Sequence, residues 1–288
     1  MGYFTNYVTD IQNIKVDDFP EFGTLAGFFI VPRGHEFATE TLARAYANWE
    51  TLMQAVKQDR LYPINGLYQF NDASEETTMA DGITGKVFVK SGTDSYELTF
   101  NSSPYRHSTL KSQEGVKGVY LFDVEGNIKG MSYDGVKMQS IPAKIVVGNH
   151  KVNNGTDPGR TTMTISFENT NLMHKYPAVL SDLDFKPQDF EGLKTVNLSV
   201  ATPTTTGAVI SVIDKFSGAG AQGITTTDFL IKNGSGVVQA FTATDNEDGT
   251  YTFVWTITSG TYTATLKNSY DMATKGYEAS APVSFTVS

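Results

Sequence analysis

The 288-residue chain has no cysteine, which excludes disulfides, thiolate nucleophiles and thiolate metal centres and leaves stability to packing or assembly. It has no apolar run near the roughly 18 residues that a membrane helix needs. The opening "MGYFTNYVTD" carries neither the basic stretch nor the apolar core of a secretion signal. Gly2 suits myristoylation, but Asn6 stands where that signal has Ser or Thr. The expectation is a soluble protein made in a cytoplasm, with no membrane partner. Basic residues are few, 22 against 31 acids for a net charge of -9, so a surface that wraps nucleic acid by neutralising phosphates is not expected.

Catalytic and metal-binding patterns are also missing. The four histidines, His35, His107, His150 and His174, stand far apart and form no HExxH or H-x-H pattern. No Gly-x-Ser-x-Gly elbow is present. "DVEGN" at 123–127 and "DNEDG" at 245–249 do not continue to the bidentate Glu of a calcium loop, and both read as turns. "GAGAQG" at 218–223 lacks the Gly-Lys-Thr ending of a phosphate loop and reads as a long turn between sheet segments. The expectation is a protein with no catalytic residues, no metal and no cofactor.

What is present is 40% hydrophobic and 12% aromatic residues, enough for a real core. One helical pattern stands out. Leu42, Tyr46, Trp49, Leu52, Met53 and Val56 recur at three- and four-residue steps, predicting a helix over 39–60 with Thr39 as N-cap, Glu40 in the first turn and Pro63 as the stop. The rest is β in character. "FGTLAGFFIVPRG" is a strand-like run closed by Pro32 and Gly34, and "GKVFVKSGTDSYELTF" alternates around a turn at Gly92. Two further turns are expected at Glu125-Gly126 and Asp134-Gly135, and "AKIVVG" and "TTMTISFE" read as strands. In "DNEDGTYTFVWTITSGTYTATL", a strand-turn-strand signature, Tyr251, Phe253 and Trp255 share one core-facing side.

Composition shifts near 190–195, where Thr, Ser and Gly become abundant. Residues 1–192 hold 24 acids and 17 bases, net -7; residues 193–288 hold 7 and 5, net -2. Two domains, 1–192 and 193–288, are therefore expected. Between them "SDLDFKPQDFEG" mixes four acids with Leu183, Phe185 and Phe190. It is either a solvated linker or an arm that docks its aromatics on a neighbouring subunit, since two free Phe side chains expose apolar area to water.

The C-terminal third resembles the bacterial immunoglobulin-like domains of surface proteins and phage virion proteins. The resemblance lies in "VISVIDKFSGAGAQGITTTDFLI", "DNEDGTYTFVWTITSGTYTATL" and the closing "APVSFTVS". The first 190 residues resemble phage tail-tube or neck-ring proteins, through one amphipathic helix in a β chain, "GVYLFDVEGNIKGMSYDGVKMQSIPAKIVVG" and the appended immunoglobulin-like domain.

The resemblance implies a mainly β fold: a tail-tube-like β-sandwich or barrel domain with one flanking helix, then an immunoglobulin-like sandwich. It implies a structural virion protein of a phage tail or neck, forming a homo-oligomeric ring or tube whose inner strands line the DNA passage. Its partners are then its own copies and other tail and portal proteins, with DNA passing without specific binding, and it resides in the virion. The alternative is a surface-displayed adhesin or glycan-binding module that contacts its target through the aromatic-rich C-terminal sandwich.

Overall fold

The computed structural model describes residues 22–55, 58–76, 78–82, 85–90, 92–267, 276–278 and 281–288. Residues 1–21, and residues 56 and 57 of the predicted helix, lie outside them. The chain is mainly β and forms two compact units, the first of residues 1–52 and 58–190 and the second of residues 191–288 together with the short stretch 53–57.

The first unit opens with β1 (Leu25–Val31), β2 (Glu36–Phe37), α1 (Glu40–Arg44), α2 (Tyr46–Gln54) and β3 (Tyr62–Ile64). Next come β4 (Leu67–Asp72), β5 (Thr78–Gly82), β6 (Gly85–Lys90), β7 (Ser95–Asn101) and α3 (Pro104–Lys111). It closes with β8 (Gly115–Asp123), β9 (Ile128–Met131), β10 (Met138–Gln139), β11 (Ile141–Val147), β12 (Arg160–Phe167), α4 (Thr170–Lys175) and β13 (Pro177–Leu180).

Eleven of these strands form one sheet with β8 at its hub. One edge of β8 carries β1; the other carries β11 along its first half and β9 along its second. From β11 the sheet runs on through β12 and β7 to β4. It does not close into a barrel, because the path ends at β2 and β4.

β1 and residues 119–122 of β8 are continuous apolar runs because the sheet is covered on both faces there. Phe28 and Ile30 join Val119, Leu121, Ile141 and Ile165 in one buried cluster. Their neighbours Phe29 and Phe122 point the other way, 5.0 Å apart between ring centres, and Phe29 meets Trp49 of α2 at 5.0 Å.

The predicted helix is two short helices. Thr39 caps α1 as expected, its Oγ1 accepting from Leu42 N at 3.3 Å. At Ala45 the backbone turns extended, with φ -89° and ψ 121°. The cause is tertiary: Asp184 accepts from Tyr46 N at 2.6 Å, capping α2 from outside, and Asp184 N donates to Arg44 O. The break also lets Trp49 Nε1 donate to Ala43 O at 2.7 Å. In consequence Trp49 and Met53 are buried as the stripe requires, whereas Leu42 and Tyr46 are 42% and 39% exposed.

The pairing of the "GKVFVKSGTDSYELTF" strands also differs from expectation. β6 and β7 are not partners across a Gly92 turn: β6 pairs β5 and β7 pairs β4. Gly92 lies flat against the opposite strand, where a Cβ would come within 2.0 Å of Glu75 O. The Glu125-Gly126 and Asp134-Gly135 turns are present, with Gly126 at φ +94° and Gly135 at φ +71°.

The second unit contains β14 (Lys194–Ala201), β15 (Gly207–Asp214), β16 (Phe229–Asn233), β17 (Phe241–Asp245), β18 (Thr250–Trp255), β19 (Gly260–Leu266), β20 (Tyr277–Glu278) and β21 (Val283–Val287). Two sheets, β17-β18-β15-β14-β20 and β16-β19-β21, enclose one core. Tyr251, Phe253 and Trp255 are buried on the inner face of β18. Across the interior Phe253 meets Phe229 at 4.9 Å and Trp255 stacks on Phe285 at 5.8 Å. The hairpin partner of β18 is β17, and Ser259-Gly260 is a crossing from one sheet to the other.

Candidate functional site

The first unit presents one long ribbon. β4 and β7 pair from Leu67↔Phe100 to Asp72↔Tyr96, and the ladder continues through Ala73 N to Ser95 O at 2.8 Å and Glu75 N to Thr93 O at 2.9 Å. It resumes in β5 and β6 from Thr78↔Lys90 to Gly82↔Gly85. At Gly92 the two strands approach so closely that a Cβ would meet Glu75 O at 2.0 Å, so this rung needs glycine.

Proximally the ribbon is the margin of the large sheet, with β12 on the far side of β7. Distally β5 and β6 are a two-stranded sheet with no third strand among the described residues. The outer strand carries exposed apolar side chains: Tyr68 at 50%, Phe70 at 38% and Met79 at 53%. A two-stranded ribbon is marginal in water, and an unguarded edge is a template for another chain.

The expected subunit-interface arm is placed differently. Phe190 is buried, its ring 5.3 Å from Tyr46 and 5.5 Å from Phe29; Phe185 is half-buried, 6.0 Å from Trp49 and 5.8 Å from Phe190. Leu183 is half-buried. Backbone bonds fasten the same segment: Asn65 Nδ2 donates to Gln188 O and Phe190 O, and Gln188 Nε2 donates to Asp123 O at 2.6 Å. The two Phe side chains thus have a home within their own unit, against Phe29, Tyr46 and Trp49. The segment is neither a free linker nor a free arm.

Among the histidines, the fold brings His107 of α3 and His150 together, ring centres 5.6 Å apart. Their Nδ1 atoms lie 3.1 and 3.5 Å from the hydroxyl of the fully buried Thr161. Thr161 donates to Ser102 Oγ at 2.9 Å, and Ser102 donates to Ser103 O at 3.0 Å. With both hydroxyl protons spent, each imidazole approaches Thr161 as an Nδ1–H donor. The chain of bonds ends on a carbonyl and anchors the loop that carries His150; it does not activate a nucleophile.

His35 sits apart, Nδ1 3.0 Å from Tyr120 Oη, and burial lowers its pKa while Glu36 opposes that shift. His174 pairs with Asp94 at 2.8 Å. Among the described residues no three His, Asp or Glu side chains are grouped to hold a metal ion.

The acidic turns are satisfied from within. Asp123, fully buried, accepts from Gly23 N, Glu125 N, Asn127 N and Asn127 Nδ2 at 2.8–3.0 Å. Asp245 accepts from Glu247 N and Gly223 N, and Asp248 from Thr250. Among the described residues no helix is long and apolar enough to cross a membrane.

Two features escaped the sequence reading. α3 has a legible signal, Ser103 as N-cap with Pro104 at N1. The ribbon has none, since its continuity depends on which strands pair. No protein-family model matches this chain, and no curated protein matches it significantly in sequence.

Proposed function

We propose that the chain is a structural virion protein of a bacteriophage tail or neck, and that its copies assemble into a ring or tube around the DNA passage. The observation that carries this reading is the ribbon 67–101. Among the described residues its distal half has open edges and its proximal strand exposes aromatic side chains, and identical ribbons from neighbouring copies supply the missing strands in a closed ring. The net charge of -9 suits a wall along which DNA slides rather than sticks. Other tail and portal proteins are the further partners, and the virion is the place of residence.

The test is a ribbon truncation read by light scattering and electron microscopy. Replacing residues 76–92 with Asn-Gly joins Glu75 to Thr93 through a two-residue hairpin. The full chain is expected to form rings or polymers and the truncated chain to stay monomeric with an unchanged melting transition. A full chain that remains monomeric at high concentration removes the ring and favours an adhesin or glycan-binding module.

A further inference from the structure

Residues 148–159 join β11 to β12 and stand over the outer face of the sheet. The ladder passes from Gly148 N to Thr162 O at 2.8 Å and then to the reciprocal Lys151–Arg160 pair at 2.8 and 2.9 Å. Asn149 and His150 together therefore face the single residue Thr161, which is a β-bulge, a device that re-aims side chains. Beneath the sheet the Thr161, Ser102 and His107 bonds hold the root of the loop. Farther out Asn154 Oδ1 accepts from Thr156 N and Asp157 N at 3.0 and 2.7 Å. The loop is thus fixed at both levels.

Thr162 follows Thr161 and points to the opposite face. There it stands in one cross-strand row with Thr99 of β7 and Gln69 of β4. This row of two hydroxyls and an amide is the floor of a cavity of about 300 Å³, walled by Lys151, Asp157 and Arg160. Arg160 is steadied by the exposed Tyr68, its guanidinium 4.4 Å from the ring centre and Nη2 3.2 Å from the phenol oxygen. Asp157 approaches it no closer than 3.9 Å.

We propose that this trough binds a sugar acid, a hydroxyl-rich ring carrying one carboxylate. Two cations against one carboxylate leave a surplus of one positive charge, which matches one negative charge on the ligand. Lys151 and Arg160 receive the ligand carboxylate, and Asp157 accepts from a ring hydroxyl. The floor of amide and hydroxyl groups offers donors and acceptors to the remaining hydroxyls. An apolar ligand leaves those floor groups unpaired, and a phosphate dianion meets Asp157. The volume lies at the small end of ligand pockets and suits a single ring. This site stands on the first unit alone and does not depend on assembly.

Saturation-transfer NMR and calorimetry on the full chain test it, with sodium glucuronate, glucose and acetate as probes. Glucuronate is expected to bind saturably, with glucose and acetate each weaker by roughly tenfold or more, because each lacks one half of the recognised chemistry. Lys151→Gln and Thr162→Val, both on the outer face, are expected to weaken glucuronate by a similar factor with unchanged melting curves. Absence of saturable glucuronate binding, equal affinity in both variants, or acetate matching glucuronate overturns the proposal.

Discussion

The ring of Phe190 sits 5.3 Å from that of Tyr46, and this contact closes the first unit just before the chain enters the second. Phe190 is only 4% exposed, so it belongs to the core. Phe190→Ala is expected to cost about 3–5 kcal/mol, the usual range for deleting a buried ring. Urea unfolding of the first transition measures it. An aromatic reserved for a subunit interface leaves monomer stability unchanged when truncated.

Trp49 and Leu42 form a matched pair of tests for the broken helix. Trp49 is fully buried and donates to the Ala43 carbonyl that the break at Ala45 exposes. Trp49→Ala is expected to lose about 3–5 kcal/mol. Leu42, on the same predicted stripe, points outward, and Leu42→Ala is expected to stay within about 0.5 kcal/mol. Equal losses at the two positions are the signature of one continuous helix.

These positions show what the sequence makes legible. The Thr39 cap, the turns at Gly126 and Gly135, the alternation in β12 and the inward stripe of Tyr251, Phe253 and Trp255 are local, and period and turn chemistry reveal them. The break at Ala45 is imposed by Asp184, 138 residues from the amide it caps, and no window of sequence contains both. Gly92 and Gly260 read as hairpin turns because glycine commonly marks one; in fact one permits close backbone approach and the other a crossing between sheets. The sugar-acid trough was invisible for the same reason, since its floor takes one residue from each of three strands.

His35 gives the first unit a pH dependence of known sign. Burial lowers its folded pKa, so between that value and the unfolded value of about 6.5 the unfolded chain binds more protons. Its contribution to stability is complete above that range and falls as pH drops through it, by at most about 1.4 kcal/mol per pH unit. His35→Asn keeps a donor near Tyr120 and removes the titration. Urea midpoints at pH 7.5 and 5.5 are expected to differ less in the variant than in the parent, and identical differences assign the acid sensitivity to other groups.

The second unit carries its own core, and Tyr251 ties it to the segment that holds Ala221 and Ile224. The Tyr251 hydroxyl donates to Ala221 O at 2.7 Å and accepts from Ile224 N at 3.4 Å, and burial raises its pKa. A fragment of residues 191–288 is therefore expected to unfold cooperatively by itself. Tyr251→Phe keeps the ring and removes both bonds, for an expected loss of about 1–3 kcal/mol because the Ala221 carbonyl is left buried without its donor. A fragment with no cooperative transition shows that the sandwich depends on the rest of the chain.

Gly92 offers the sharpest separation between folding and assembly. A Cβ there meets Glu75 O at 2.0 Å, closer than any rotamer change can relieve, because Glu75 O is a backbone atom and the position of a Cβ is fixed by its own backbone. The two strands must part at this rung, and the distal hairpin then loses its alignment with the proximal one. The core of the first unit is untouched, since β7 remains paired with both β4 and β12 below Ser95. Gly92→Ala is thus expected to leave the main melting transition within a few degrees of the parent while weakening ring formation as strongly as truncating the ribbon. Light scattering across a concentration series compares the two variants. If Gly92→Ala assembles like the parent, the close approach of the strands at Gly92 is not what neighbouring copies recognise.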